Sequence, residues 1–258
     1  MAGSYLLSDA DRALWNYRVG RAIGFAFDDV RAKLRARVTK SDGMYEDLWD
    51  QGWWVEAVDS EVKPVLDRMY REIARDAAIA LGLVWLLRSN VVESAAEEML
   101  AARMVVIYKV GATVDGRVAV ASTEASGQAP GWLLDRLGLF DGGVSGPLSQ
   151  GVARVMTVTE TNSGLNAAAG SAFDLLAELD DVDIPDELIA VGVEGSKVWI
   201  CQLVDSRESH AAANGQVVGP GELFVVGGFF AEYPGDIALP AAESVNCQCV
   251  VEYTVLGL

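Results

Sequence analysis

Histidine is almost absent from this chain: His210 is the only one in 258 residues. An isolated imidazole is more often a packed or solvated structural residue than a catalyst, so its surroundings must decide its role. Cysteine is nearly as scarce. Cys201, Cys247 and Cys249 are the only three, and all fall in the last quarter. An odd, clustered set excludes a disulfide framework and points to a chain made inside a cell. Basic residues thin out along the sequence: residues 1–110 hold 15 Lys and Arg against 17 Asp and Glu, whereas residues 111–258 hold 5 against 20. Of the chain's net charge of −17, the second part carries −15 (5 less 20), so it repels phosphate backbones and offers no counterion release for binding them. Long apolar runs are missing too. The longest, Ala77–Leu87, has about 11 residues where a bilayer span needs about 20. The opening "MAGSYLLSDADRALW" has neither a basic n-region nor an apolar h-region, so no signal peptide is visible. There is no Gly-rich phosphate loop, no internal repeat and no low-complexity tract.

What is present reads as a globular protein, 51% hydrophobic and 22% charged. Ser8 precedes a long helical stretch with acids in its first turn and bases in its last. Leu14, Tyr17, Ile23, Phe27, Val30 and Leu34 recur at helical spacing, which predicts the buried stripe. Arg31, Lys33, Arg35, Arg37 and Lys40 spread around the same helix and read as a solvated face. Trp49, Trp53 and Trp54 cluster between helices and are the expected partner-binding anchors. Pro64 suits the first turn of a helix reaching about Leu87, and Asn90 with Glu93 resembles a capping box for a helix reaching about Lys109.

Glycine then becomes frequent. Residues 110–147, with "EASGQAPGW" and "FDGGVSGP", predict a hinge of loops around a short helix near Trp132–Leu137. Pro147 opens a helix to about Leu179, and beyond Asp186 the period changes. "ELIAVGV", "KVWICQLV", "ELFVVGGFF" and "CQCVVEYTV" read as strands. The expected fold class is α+β: a helix-rich N-terminal region, 1–147, followed by a small C-terminal α+β unit, 148–258, with a short mainly antiparallel sheet.

Three stretches of the last hundred residues belong together: "RVMTVTETNSGLNAA", "KVWICQLVDSRESHAAANGQVV" and "YPGDIALPAAESVNCQCV". Their order and content resemble the phage Mu F-like head-morphogenesis family of minor capsid proteins. The matching residues are Thr159 and Glu160, then Trp199, Asp205, Arg207, His210 and Gly215, then Pro234, Gly235, Asp236, Glu243, Asn246, Cys247 and Cys249. The resemblance covers residues 150–252; over 1–149 it is a general match of a helix-rich lead. Gln248 and Val158 stand where the family commonly has arginine. The resemblance implies a structural virion protein that assembles with the portal protein, the major capsid protein or both. It would act in several copies within a symmetric assembly, in the virion and, during assembly, in the host cytoplasm. The resemblance implies no membrane partner, and contact with packaged DNA would be indirect.

Two further readings of the same residues stay open. The family has been grouped with ADP-ribosyltransferase-like folds, which would make Glu160 a candidate catalytic carboxylate in an enzyme or toxin-like effector. Mid-helix placement favours instead a structural hydrogen bond or ion pair for Glu160, and no catalytic residue is assigned. Alternatively, Cys201, His210, Cys247 and Cys249 converge on a zinc ion in a zinc-stabilised binding module. Against this, the expectation is no cofactor: the thiols act as small buried hydrophobes and His210 hydrogen-bonds Asp205 or Asp236.

Overall fold

A computed structural model describes residues 3–41, 44–88, 90–139, 146–178, 194–202 and 206–256. The order of elements begins with strand β1 (Gly3–Leu6) and helix α1 (Asp9–Lys40). Helix α2 (Gln51–Ala57) continues through a π turn at Val58–Val62 into α3 (Lys63–Ala80), and a 3₁₀ turn spans Val84–Arg88. Helices α4 (Val91–Glu124), α5 (Pro130–Arg136) and α6 (Gln150–Glu178) follow. The remainder is β2 (Glu194–Ile200), α7 (Glu208–Ala213), β3 (Val217–Val218), β4 (Phe224–Val226), β5 (Phe229–Ala231), α8 (Ala241–Ser244) and β6 (Val250–Leu256). The fold is α+β, helix-rich in its N-terminal part with a small antiparallel sheet at the C-terminal end. No described helix is long and apolar enough to cross a membrane.

The chain forms two compact units that interleave along the sequence, where the sequence predicted consecutive regions meeting at 147/148. The first comprises Met1–Asn16, Leu66–Arg103 and Val158–Leu258; the second comprises Tyr17–Val65 and Met104–Thr157. The long helices α1, α4 and α6 each contribute a segment to both.

The second unit is a helical assembly with an apolar interior. Val19, Ile23, Phe27, Val30, Leu34 and Val38 of α1 are buried, whereas Tyr17 is 62% exposed. The stripe expected at Tyr17 therefore runs through Val19. Trp54 is fully buried, stands edge-on to Phe27 at 5.3 Å and donates its indole N–H to the Ile107 carbonyl at 3.0 Å. The expected hinge at 110–147 is in part regular structure, because α4 runs unbroken to Glu124. Gly111 does not end this helix; it gives room to a neighbour, since a Cβ there would lie 2.5 Å from Trp54 Cδ1. The short helix expected near Trp132 is α5. The basic face of α1 is largely engaged rather than solvated. Arg31 and Arg35 donate to the carbonyls of Gly138 and Leu139, Lys33 pairs with Asp29 and Glu56, and Arg37 stacks over Trp53 at 4.2 Å.

In the first unit, Ser8 caps α1 by accepting from the Asp11 N–H at 3.1 Å. The four-stranded sheet has the order β1-β6-β2-β3 with all pairings antiparallel, and β4 and β5 form a separate hairpin. Tyr5, Tyr253 and Lys197 lie across from one another on one face, with Val251 and Trp199 beside them. Helix α6 covers this face. Phe173 packs on Tyr253 at 5.1 Å, and the Tyr253 hydroxyl donates to the Asn166 carbonyl at 3.2 Å. The strand expected over "ELIAVGV" lies outside the described residues.

Candidate functional site

The helix α6 sequence "TETNSGLN" presents polar side chains at steps of one, three and four residues, which places them on a shared flank of the helix. That flank is buried and stitched to the C-terminal segments. Thr159 Oγ1 accepts from the Asn246 N–H at 2.8 Å. Ser163 Oγ donates to the Gly235 carbonyl at 2.7 Å. Asn162 and Asn166 both donate to the Cys249 carbonyl, at 2.9 and 3.2 Å, and Asn166 Oδ1 accepts from the Val251 N–H at 3.2 Å. Gly235 has φ +80, and a Cβ there would lie 3.0 Å from Ser163 Cβ, so the close approach requires glycine. Asn246 is also left-handed, at φ 57, a region that asparagine tolerates better than most residues.

Glu160 sits in the middle of this seam. Its carboxylate accepts from Arg103 Nε at 2.5 Å and Nη2 at 3.0 Å, and both side chains are about 95% buried. Arg103 Nη1 reaches the Gly235 carbonyl at 3.4 Å. Burial pushes the neighbouring Tyr70 and Tyr233 phenols above their ordinary range, leaving them neutral beside the pair. A second, partly buried pair joins buried Lys197 of β2 to half-buried Asp174 of α6 at 3.0 Å, and Asp174 also accepts from the Gly221 N–H. Neither Arg103 nor Lys197 was among the expected site residues. Each had a signal: one cation in an otherwise apolar stretch, "MLAARMVVIY" for Arg103 and "KVWIC" for Lys197.

The imidazole stands beside this seam. His210, on α7, is 2% exposed, and Trp199 of β2 stands edge-on to it at 5.9 Å, with Phe224 behind Trp199 at 5.3 Å. Its Nδ1 lies 3.4 Å from Cys249 Sγ and 3.6 Å from Cys247 Sγ. Its Nε2 lies 3.1 Å from a Glu243 carboxylate oxygen, off the line of an ideal hydrogen bond. The expected bond to Asp236 is absent, because Asp236 spends its carboxylate on its own loop, accepting from the Glu232 and Ala238 N–H groups at 2.8 Å each. Asp205, the other expected partner, lies outside the described residues. Arg207 donates to the carbonyls of Glu243 and Val245, which ties α7 to α8. Gly215, at φ +82, donates its N–H to the Trp199 carbonyl at 2.8 Å, and Pro234 is buried.

The thiols sit just ahead of β6 rather than on it, and they still face the same side. Their charges are strongly coupled. Hydrogen bonds from Cys249 and His210 hold the Cys247 thiol well below its ordinary value, while the hydrogen bond with Cys247 and burial push Cys249 up. Hydrogen bonding to Cys247 raises His210 above its ordinary value, against the opposing effect of burial. Cys201 is half-buried, 3.5 Å from Cys249 Sγ, and is bonded to Ser206 Oγ at 2.7 Å. Among the described residues, His210, Cys247 and Cys249 form the set able to hold a metal ion, with ligand atoms all within 4.8 Å of one another.

Of the expected partner anchors, Trp54 is corrected. Fully enclosed and hydrogen-bonded, it is a core residue of the second unit. Trp49 and Trp53 are half-buried, the first bonded to Gln51 and the second under Arg37. Compared with protein-family models, with curated proteins and with solved structures, the chain matches none.

Proposed function

We propose that the chain is a structural bacteriophage virion protein, a minor capsid or head-morphogenesis protein that assembles with the portal protein, the major capsid protein or both. One observation carries the reading. Two of the three stretches that resemble the Mu F-like family meet in one buried seam, where Thr159 and Ser163 bond to Asn246 and Gly235, and the remaining stretch joins them beside it, where His210 lies against Cys247 and Cys249. Residues scattered over about a hundred positions thus serve a common scaffold, as expected when a sequence signature records a fold rather than a reaction. Function then lies in recognition, with half-buried Trp49 and Trp53 as anchors for a protein partner. The acidic surface suits protein contact and keeps packaged DNA at a distance.

The transferase-like alternative requires a carboxylate open to a dinucleotide. Arg103 occupies both Glu160 oxygens, and only 6% of the Glu160 side chain is exposed, which speaks against that use. Similarly, a reactive thiolate needs an accessible electropositive site, and Cys247 and Cys249 are each 2% exposed. Co-purification tests the proposal. The full chain expressed with its cognate portal protein is expected to elute with portal oligomers and to be found in assembled particles. A chain that stays monomeric and is absent from particles contradicts it.

A further inference from the structure

The His210 cluster has the chemistry and dimensions of a structural metal site, an inference independent of the virion reading. Tetrahedral zinc bonded at about 2.3 Å to sulfur and about 2.0–2.1 Å to nitrogen spaces its ligands about 3.6 Å apart for N···S and about 3.8 Å for S···S. The structure places Nδ1 at 3.4 and 3.6 Å from the two thiols, and Cys201 Sγ at 3.5 Å from Cys249 Sγ. The two N···S distances match edges of such a tetrahedron, while Cys201, outside the set of mutually close ligands, reaches only Cys249 as it stands. The donors are two or three thiols and an imidazole, a set that selects soft or borderline cations and disfavours magnesium and calcium. The walls are apolar: Trp199 stands against the ring, and His210, Cys247 and Cys249 are all buried.

An outer support is also present. A metal-bound imidazole characteristically directs its second ring nitrogen at a carboxylate, which sets the tautomer and leaves the first nitrogen's lone pair for the metal. Glu243 lies nearest that place, 3.1 Å from Nε2 though off the hydrogen-bond line, and is itself held by Ser209 Oγ, which donates to it at 2.7 Å. Hydrogen bonding alone leaves this convergence unexplained, because thiols are weak donors and weak acceptors. A metal does explain why the chain's one histidine and all three cysteines gather from three segments. It would crosslink the end of β2, helix α7 and the approach to β6, in a region built from elements of seven residues or fewer.

We propose that His210 Nδ1, Cys247 Sγ and Cys249 Sγ hold a zinc ion, with Cys201 Sγ turning from Ser206 to become the fourth ligand. The test uses the full chain purified without chelator. Elemental analysis is expected to return about one zinc per chain, and less than about 0.1 overturns the site. Replacing zinc with cobalt alone is expected to give the intense visible bands of a tetrahedral site and a thiolate-to-cobalt charge-transfer band. Cys201→Ser should lower that charge-transfer band by roughly a third, since one of three thiolates is lost; an unchanged band overturns the assignment of Cys201. Glu243→Gln should weaken cobalt affinity by about 10-fold or more while leaving the bands in place. Should Cys247→Ser or Cys249→Ser fail to fold, the wild-type chain decides. A folded, chelator-treated chain that binds neither zinc nor cobalt on titration overturns the proposal. Incorporation into particles is read separately, so either proposal can fail alone.

Discussion

The two compact units bury their polar groups differently. Of the buried polar and charged residues described, only Arg31 and Ser149 belong to the second unit; Arg103, Glu160, Lys197, His210 and seven more belong to the first. The second unit is a set of helices whose apolar stripes meet, and its largest buried side chain, Trp54, contributes one hydrogen bond and otherwise area. Such packing tolerates many hydrophobic sequences of suitable volume. The first unit arranges short strands and loops around α6 with side-chain hydrogen bonds, one buried ion pair and one partly buried one. Buried ion pairs add little net stability against apolar replacements, but breaking one leaves a charge stranded at high cost. The first unit is therefore specified by particular atoms, and the second by shape and hydrophobicity.

Substitutions in the two units should separate these modes. The largest effects come from removing half of a buried pair or the largest core aromatic. Glu160→Ala is expected to cost about 3–5 kcal/mol by stranding Arg103. Segment-resolved hydrogen exchange should rise over α6 and residues 233–256. Trp54→Ala should cost a similar amount, about 3–5 kcal/mol, through cavity formation, with the rise confined to the second unit. Urea denaturation of each variant measures the totals, and a loss below about 1 kcal/mol at Glu160 would contradict the stranded-charge account. Next is Asn166→Ala, which leaves the Val251 N–H without its acceptor and should cost about 1–3 kcal/mol. The smallest effect belongs to the exposed Arg136–Glu124 pair of the second unit, where Arg136→Ala should change stability by less than about 1 kcal/mol and lose even that in high salt.

The same contrast governs how much could be read from the sequence. Helices announce themselves by period and caps, so α1 behind Ser8, α5 near Trp132 and α6 after Pro147 were all legible, as were β2 and β6; "ELFVVGGFF" was legible as strand, but not that it folds back at Gly227–Gly228 into the β4–β5 hairpin. What failed depended on tertiary context. Strand β1 is four residues long and becomes a strand by pairing with β6, which lies at the opposite end of the chain. Gly111 reads as a breaker until Trp54 is seen against it. In the site, Glu160, His210 and the cysteines could be singled out by rarity and by motif. Their partners could not. Asp236 and Glu243 are both carboxylates within reach of a hypothetical His210 contact, and only the fold determines that Asp236 holds its own loop while Glu243 faces the ring. Arg103 likewise meets Glu160 across 57 positions.

The central claim is that the signature residues act by holding a scaffold rather than by chemistry. Its most direct test is the double substitution Arg103→Met with Glu160→Leu, which removes the carboxylate and its partner together while keeping the site filled. Exchange of a buried pair for apolar side chains of similar volume is often neutral or stabilising. The variant's incorporation into assembled particles is to be measured beside the wild type. The account predicts a folded chain incorporated at the wild-type level. A chain that folds as well as the wild type and is nevertheless left out of particles would contradict it.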